Sequence, residues 1–409
     1  MSEWLVRVAL FMGFLVPVVI DQYSVNYLFV LFAAFMVLQA RHFKMPDATL
    51  LAAIGIYVLI YLGSLTFDLL GHGDMTLRRS ISFAIFMSIF AFSVVDLRDS
   101  DVMAFKMALI GMATVMSFHA LTIFFLVGGT GYGFELKNVV GSQRYGFVYL
   151  LALFVLLHLP VVRRWEAIAK YIAAYIILAG ILLTFSRTSV IAFGVAMPLY
   201  LLARWLFQSE RSLKLVGRHM GIGLAYAAAL MVVMLVTFEF YGQLIFARYF
   251  AVVDEALVGT PAGSAIAEVL VPGGSESTRL AIWSAIVSHT VSRPVLGSGY
   301  LGSWTLEAVE TGSAHGQYVD VLLRTGPAGI IIYVFLLSRI FLFLSRKDPG
   351  LFWGGVAVLV YGLFHETFKE SQGAFILAFL IGMYATQQRQ GLVRRASRKQ
   401  AIQVNPRRR

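Results

Sequence analysis

Two arginines and a histidine are the residues whose type and setting could do chemistry in this sequence. Arg187 stands in LLTFSRTSVIAF, where only serine and threonine relieve an apolar run. An arginine there is costly at the membrane midplane and less so toward the interface, so it needs a partner or water. The plainer reading is a helix-end anchor that snorkels to the surface. A planar, permanently charged guanidinium suits bidentate binding of diphosphate oxygens. Arg279 stands in STRLAIW, in the first turn of an expected helix over 277–292, and taken alone reads as a solvated loop residue. His315 sits between Ser313, Ala314, Gly316 and Gln317, small and polar neighbours that leave room for a ligand. A neutral imidazole there could take a proton from an acceptor hydroxyl, an effect worth about 10²–10⁴ in rate. The plainer reading is an interfacial histidine satisfied by the fold. Arg279 within one extramembrane stretch, roughly 242–315, and a histidine at its end point to a site for an anionic, lipid-borne substrate.

Around these three, Arg144, Gln317, Tyr318, Arg324, Glu366 and Glu370 are candidates for lining the pocket, each equally readable as structural or generically polar. Tyr300 and Trp304 could stack on sugar rings, but aromatic residues are also expected at a membrane interface. Other motifs fail their context. Gly297-Ser-Gly299-Tyr-Leu-Gly302 matches GxGxxG, yet no strand–helix unit surrounds it, so nucleotide binding is not inferred. Asp99-Ser-Asp101 resembles a metal–nucleotide-sugar DxD but falls beside Arg98 in a short loop and reads as an ordinary polar turn. His365-Glu366 lacks the second histidine of a zinc protease helix. His289 reads as one face of the loop helix. No acidic pair or histidine cluster commits to a metal, and no cofactor is implied.

The elements that must position these residues are transmembrane helices. The 409 residues are 59% hydrophobic and 13% charged, with a mean hydropathy of +0.79, which excludes a soluble globular protein. Spanning the hydrocarbon takes about 20 apolar residues, and such runs recur from end to end. About twelve helices are expected, near 4–20, 25–40, 48–70, 77–95, 102–127, 146–161, 168–185, 189–207, 219–241, 316–344, 350–367 and 371–386. The chain thus divides into N-terminal transmembrane helices (1–241), a long extramembrane loop with short helices (242–315), C-terminal transmembrane helices (316–386) and a basic tail (387–409). The first segment, MSEWLVRVALFMGFLVPVVI, lacks a small-residue cleavage site and reads as a retained helix. With no cysteine, disulfides and thiolate metal sites are excluded.

The net charge of +11 sits mostly in short loops and the tail, which fits the positive-inside rule and anionic lipid headgroups rather than nucleic acid. The tail RQGLVRRASRKQAIQVNPRRR, with RHFK (41–44), RRWEA (163–167), ERSLKLVGR (210–218) and SRK (345–347), falls on one side, the cytoplasm, with both termini. The opposite side then receives Arg144, Arg187, Arg279, His315 and the HETFKE stretch (365–370).

TFSRTS ending a helix, STRLAIW in a long outer loop, SRPVLGSGY, and AHGQYVDVLLRTGPAGI opening the next helix follow in that order. The series resembles the O-antigen ligase and O-antigen polymerase superfamily, including the polymerases of secreted exopolysaccharides, best over about 180–345. One departure is Gly316, where many relatives carry Asn after the histidine. The resemblance implies an all-α, polytopic integral membrane protein of the bacterial inner membrane, GT-C-like, with one long periplasmic loop. It implies metal-independent glycosyl transfer on the periplasmic face. The donor would be a glycan on undecaprenyl diphosphate, and the acceptor a lipid A-core sugar (ligase) or a growing lipid-linked glycan (polymerase). His315 would correspond to the base or acceptor-orienting residue, and Arg187 and Arg279 to the arginines holding the donor diphosphate.

Two other classes remain for comparison. A transporter or flippase of lipid-linked oligosaccharide should show charged or broken helices at the midplane and gates on both sides, whereas here the charges gather toward one face. A scaffold for envelope assembly needs neither the paired arginines nor the histidine.

Overall fold

The computed structural model describes residues 3–16, 30–33, 46–60, 62, 88–127, 145–183, 186–207, 275–292, 297–298, 314, 316–368 and 371–404. Among these every regular element is helical. The main helices are α1 (Glu3–Leu15), α2 (Ala48–Ile60), α3 (Asp99–Val127), α4 (Gly146–His158), α5 (Arg164–Leu183), α6 (Arg187–Phe207), α7 (Ser275–Ser292), α8 (Gln317–Lys347), α9 (Pro349–Tyr361) and α10 (Ser371–Val404). Four described stretches are long and apolar enough to cross a membrane: Asp99–Thr122, Arg164–Leu182, Thr188–Leu206 and Gln317–Lys347. The expected helix at 219–241 and most of those at 25–40 and 77–95 lie outside the described residues.

Several boundaries differ from expectation, each for a local reason. Asp99-Ser-Asp101 is the opening turn of α3 rather than a loop; acidic residues suit a helix N-terminus, and Asp101 accepts a bond from the Arg98 amide at 2.9 Å. The helix expected over 350–367 ends at Tyr361 and gives way to turns. The last helix continues from Ser371 to Val404, because Gln, Arg, Ala and Lys in the basic tail are good helix formers even without an apolar face.

The fold divides into two compact units. The first comprises 1–108, 283–348 and 366–409. Its interior is a phenylalanine cluster: Phe105 stacks on Phe379 at 4.0 Å, while Phe11 meets Phe375 and Phe379 at 5.7 and 5.6 Å. These contacts run α1 antiparallel to α10, since the Gln372 amide donates to the Val16 carbonyl at one end and Arg7 pairs with Asp101 of α3 at the other. The Arg7 end is strongly charged. Lys106 pairs with Asp348 there, and Arg389 donates to Asp96 Oδ1 at 2.8 Å, the Ser93 carbonyl at 2.5 Å and the Val95 carbonyl at 2.7 Å.

The second unit comprises 109–282 and 349–365. At its centre is α4, buried from Gly146 through Leu156. Helix α9 lies against it through Gly350 and Gly354, spaced four apart: a Cβ at Gly354 would lie 2.6 Å from Leu151 Cδ1 and 2.9 Å from the Leu151 carbonyl oxygen. Small residues let helix backbones approach this closely in an apolar medium, where dispersion contacts and not water expulsion hold helices together. Lys170 Nζ donates to the Leu157 and Leu159 carbonyls at 2.9 and 2.8 Å, satisfying carbonyls at the C-terminal end of α4.

Candidate active site

Within the first unit, the residues flanking position 315 are held by a dense set of hydrogen bonds. Ala314 is fully buried; its N–H donates to Glu366 Oε1 at 2.5 Å, and its carbonyl accepts the Trp283 indole N–H of α7 at 3.1 Å. Gly316 is the extended N-cap of α8, and its carbonyl accepts from the Asp320 amide at 2.9 Å. Gln317 Oε1 accepts from the Phe368 amide at 2.8 Å. Thus 366–368, part of the HETFKE stretch, reaches the chain on both sides of 315. The base of this arrangement is α10: a Cβ at Gly373 would overlap the Thr367 carbonyl oxygen, so only glycine lets the helix start pack on that backbone.

Helix α8 is broken at Gly326, which takes φ 66° and ψ −175° directly before Pro327. Proline has no N–H, so the carbonyl four residues earlier, that of Leu323, loses its intrahelical donor. That carbonyl instead accepts the Ser298 amide at 2.7 Å. Gly297, at φ 65°, makes the approach possible, because a Cβ there would collide with the Leu323 oxygen. The glycine and serine that open the GxGxxG match are therefore a docking turn that completes a proline-interrupted helix. Tyr57 of α2 supports the far side of the same break, donating to the Gly329 carbonyl at 2.9 Å.

Arg324 is buried in the turn before the break, and its Nε donates to Asp320 Oδ2 at 2.8 Å. Asp320 is not among the residues expected to matter, although its four-residue spacing from Arg324 is a legible ion-pair signal. Tyr318 is half-buried, its ring 6.4 Å from that of Tyr333.

In the second unit, Arg187 is the first residue of α6 and Ser186 is its cap: Ser186 Oγ accepts the Ser189 amide at 3.3 Å. Arg187 and Thr188 therefore belong to the helix and not to a loop between two helices. Ser186, Thr188 and Ser189 are all buried. The same end of the unit carries Gly146, whose Cβ would lie 2.9 Å from Tyr361 Cε2, and the His365 ring stacked on Tyr361 at 4.9 Å. Arg279 follows the first turn of α7, which begins at Ser275, two residues earlier than expected. Both arginines thus stand close to helix N-termini, where the helix dipole favours an anion. The side chains of Arg187 and Arg279, and the whole of Arg144, His315, Glu370, Tyr300 and Trp304, lie outside the described residues.

The four described stretches long and apolar enough to cross a membrane fit a helical, multi-pass membrane protein. Residues 172–334 match the family model described as O-antigen ligase, which supports the O-antigen ligase and polymerase superfamily for this chain and a glycosyltransferase-like activity. A comparison with curated proteins gives no match.

Proposed function

We propose that this chain transfers a saccharide from undecaprenyl diphosphate to a glycan acceptor hydroxyl on the periplasmic face of the bacterial inner membrane. The observation that carries the reading is the family match, whose span takes in Arg187, Arg279 and His315 together. In the proposed step the acceptor oxygen attacks the anomeric carbon, the bond from that carbon to the diphosphate oxygen breaks, and the hydroxyl proton passes to the His315 imidazole. The negative charge leaves on undecaprenyl diphosphate, where the guanidiniums of Arg187 and Arg279 receive it. Two permanent cations can stabilise that departure without a metal. Attack opposite the leaving group inverts the anomeric centre.

The scaffold is proposed as about twelve transmembrane helices with N- and C-termini in the cytoplasm and the 242–315 loop outside. The acceptor is a lipid A-core sugar, as in a ligase, or a growing lipid-linked glycan, as in a polymerase, and the product decides between the two. The test is product analysis with purified protein in nanodiscs, undecaprenyl diphosphate-linked repeat unit and EDTA, with and without lipid A-core. Transfer to core that His315→Ala reduces by about 10²–10⁴ is the expected result. A ladder of longer glycans without core would assign polymerase chemistry instead. Retained anomeric configuration would exclude the single displacement, and movement of the donor across vesicles without any product would make the protein a transporter.

A further inference from the structure

We propose that Glu366 is a positioning residue: with the Trp283 indole it clamps the backbone ahead of position 315 and so sets where the His315 imidazole is presented. The inference rests on the reading of His315 as the proton acceptor. Ala314 offers two backbone polar groups, and both are taken by side chains distant in sequence. Its N–H goes to Glu366, 52 residues away, and its carbonyl to Trp283, 31 residues away. On the other side of 315, α8 begins at once, and Gln317 holds the Phe368 amide. Position 315 is therefore bracketed by a fixed residue before it and a helix start after it.

The arrangement suits a base that must meet a bulky, lipid-borne sugar. Proton transfer needs a heavy-atom separation of roughly 2.6–3.2 Å, and a displacement of about 1 Å can cost on the order of 10²-fold in rate. A histidine on an unrestrained loop would not hold that geometry. The clamp itself is anchored, because Gly373 seats 366–368 on α10 and Gln372 ties that helix start to the Val16 carbonyl. Glu366 thereby acts through the backbone of Ala314.

The test compares Glu366→Ala, Glu366→Gln and Trp283→Phe in the full-length protein in nanodiscs. Amide hydrogen exchange is followed over 314–318, and turnover is measured with lipid-linked glycan extracted from the producing cell's membranes. Glu366→Ala is expected to speed exchange at Ala314 by at least about tenfold and to lower kcat by about 10²-fold, with the donor KM within about twofold because the diphosphate-binding arginines are untouched. Glu366→Gln keeps an acceptor oxygen and should recover both protection and most of the turnover. Trp283→Phe removes the other half of the clamp without touching a carboxylate, and should reproduce the kcat loss in milder form. A Gln variant as inactive as the Ala variant while Ala314 stays protected would show that Glu366 acts by charge, overturning the proposal. So would unchanged exchange in Glu366→Ala. Full activity of Glu366→Ala alongside an inactive His315→Ala overturns positioning alone, whereas an active His315→Ala removes the underlying functional reading and the positioning role with it.

Discussion

At the scale of single residues, the chemistry expected of the arginines depends on shape as well as charge. Lysine would keep the charge at position 187 or 279 but lose the planar fork with which the proposed role would engage two phosphate oxygens. We expect Arg187→Lys and Arg279→Lys each to lower kcat/KM by about 10²-fold, comparable to losing one transition-state donor, as read in the same transfer assay. Parity with wild type would show that only a diffuse positive potential is needed. Arg187 is legible in the sequence because an arginine in an apolar run needs a reason. Asp320 is harder to single out, because its partner Arg324 draws attention as a pocket cation while the fold buries the two together. Gln317 and Glu366 are legible only as polar residues near a membrane surface. Their roles depend on backbone amides of 368 and 314, and no side-chain pattern reports on where a distant amide lies.

At the scale of elements, the break in α8 is completed by the Gly297–Ser298 turn. Pro327→Ala would restore an N–H able to compete for the Leu323 carbonyl, weakening the Ser298 bond. Gly297→Ala would force a left-handed backbone onto a residue with a Cβ and drive that Cβ into the Leu323 oxygen, at a cost of about 1–3 kcal/mol. Faster hydrogen exchange at Ser298 is expected in both variants, and larger in Gly297→Ala; protection equal to wild type would mean that the turn is held by something other than this dock. The RTGP sequence by itself marks a helix boundary or kink. That SRPVLGSGY supplies the missing donor could not be read from it, because the two segments are brought together only by folding.

At the scale of the whole molecule, the charge pattern sets the expected topology. Within the first unit, the antiparallel course of α1 and α10 brings Arg7 and Arg389 to the same charged end, with Asp96, Asp101, Lys106 and Asp348. A fluorescent-protein fusion after Arg409 should be bright and an alkaline phosphatase fusion inactive under the proposed topology, in which the positive-inside rule puts the basic tail in the cytoplasm; the reverse pattern would place the proposed site on the wrong side of the membrane. The opposite end of that unit carries Ala314, Gln317 and Glu366.

Hydropathy alone determined that this is a helical membrane protein, since no soluble core can absorb so many apolar runs and lipid admits no unsatisfied backbone. The order of TFSRTS, STRLAIW, SRPVLGSGY and AHGQYVDVLLRTGPAGI likewise points to the superfamily without any tertiary information. Tertiary structure alone decided how the histidine-bearing segment is held: Glu366 and Trp283 on Ala314, Gln317 on Phe368, and Ser298 on the carbonyl that Pro327 leaves without a donor. The physical reason is that hydropathy is a property of side chains summed along the chain, while each of these bonds ends on a backbone group whose position is set by packing.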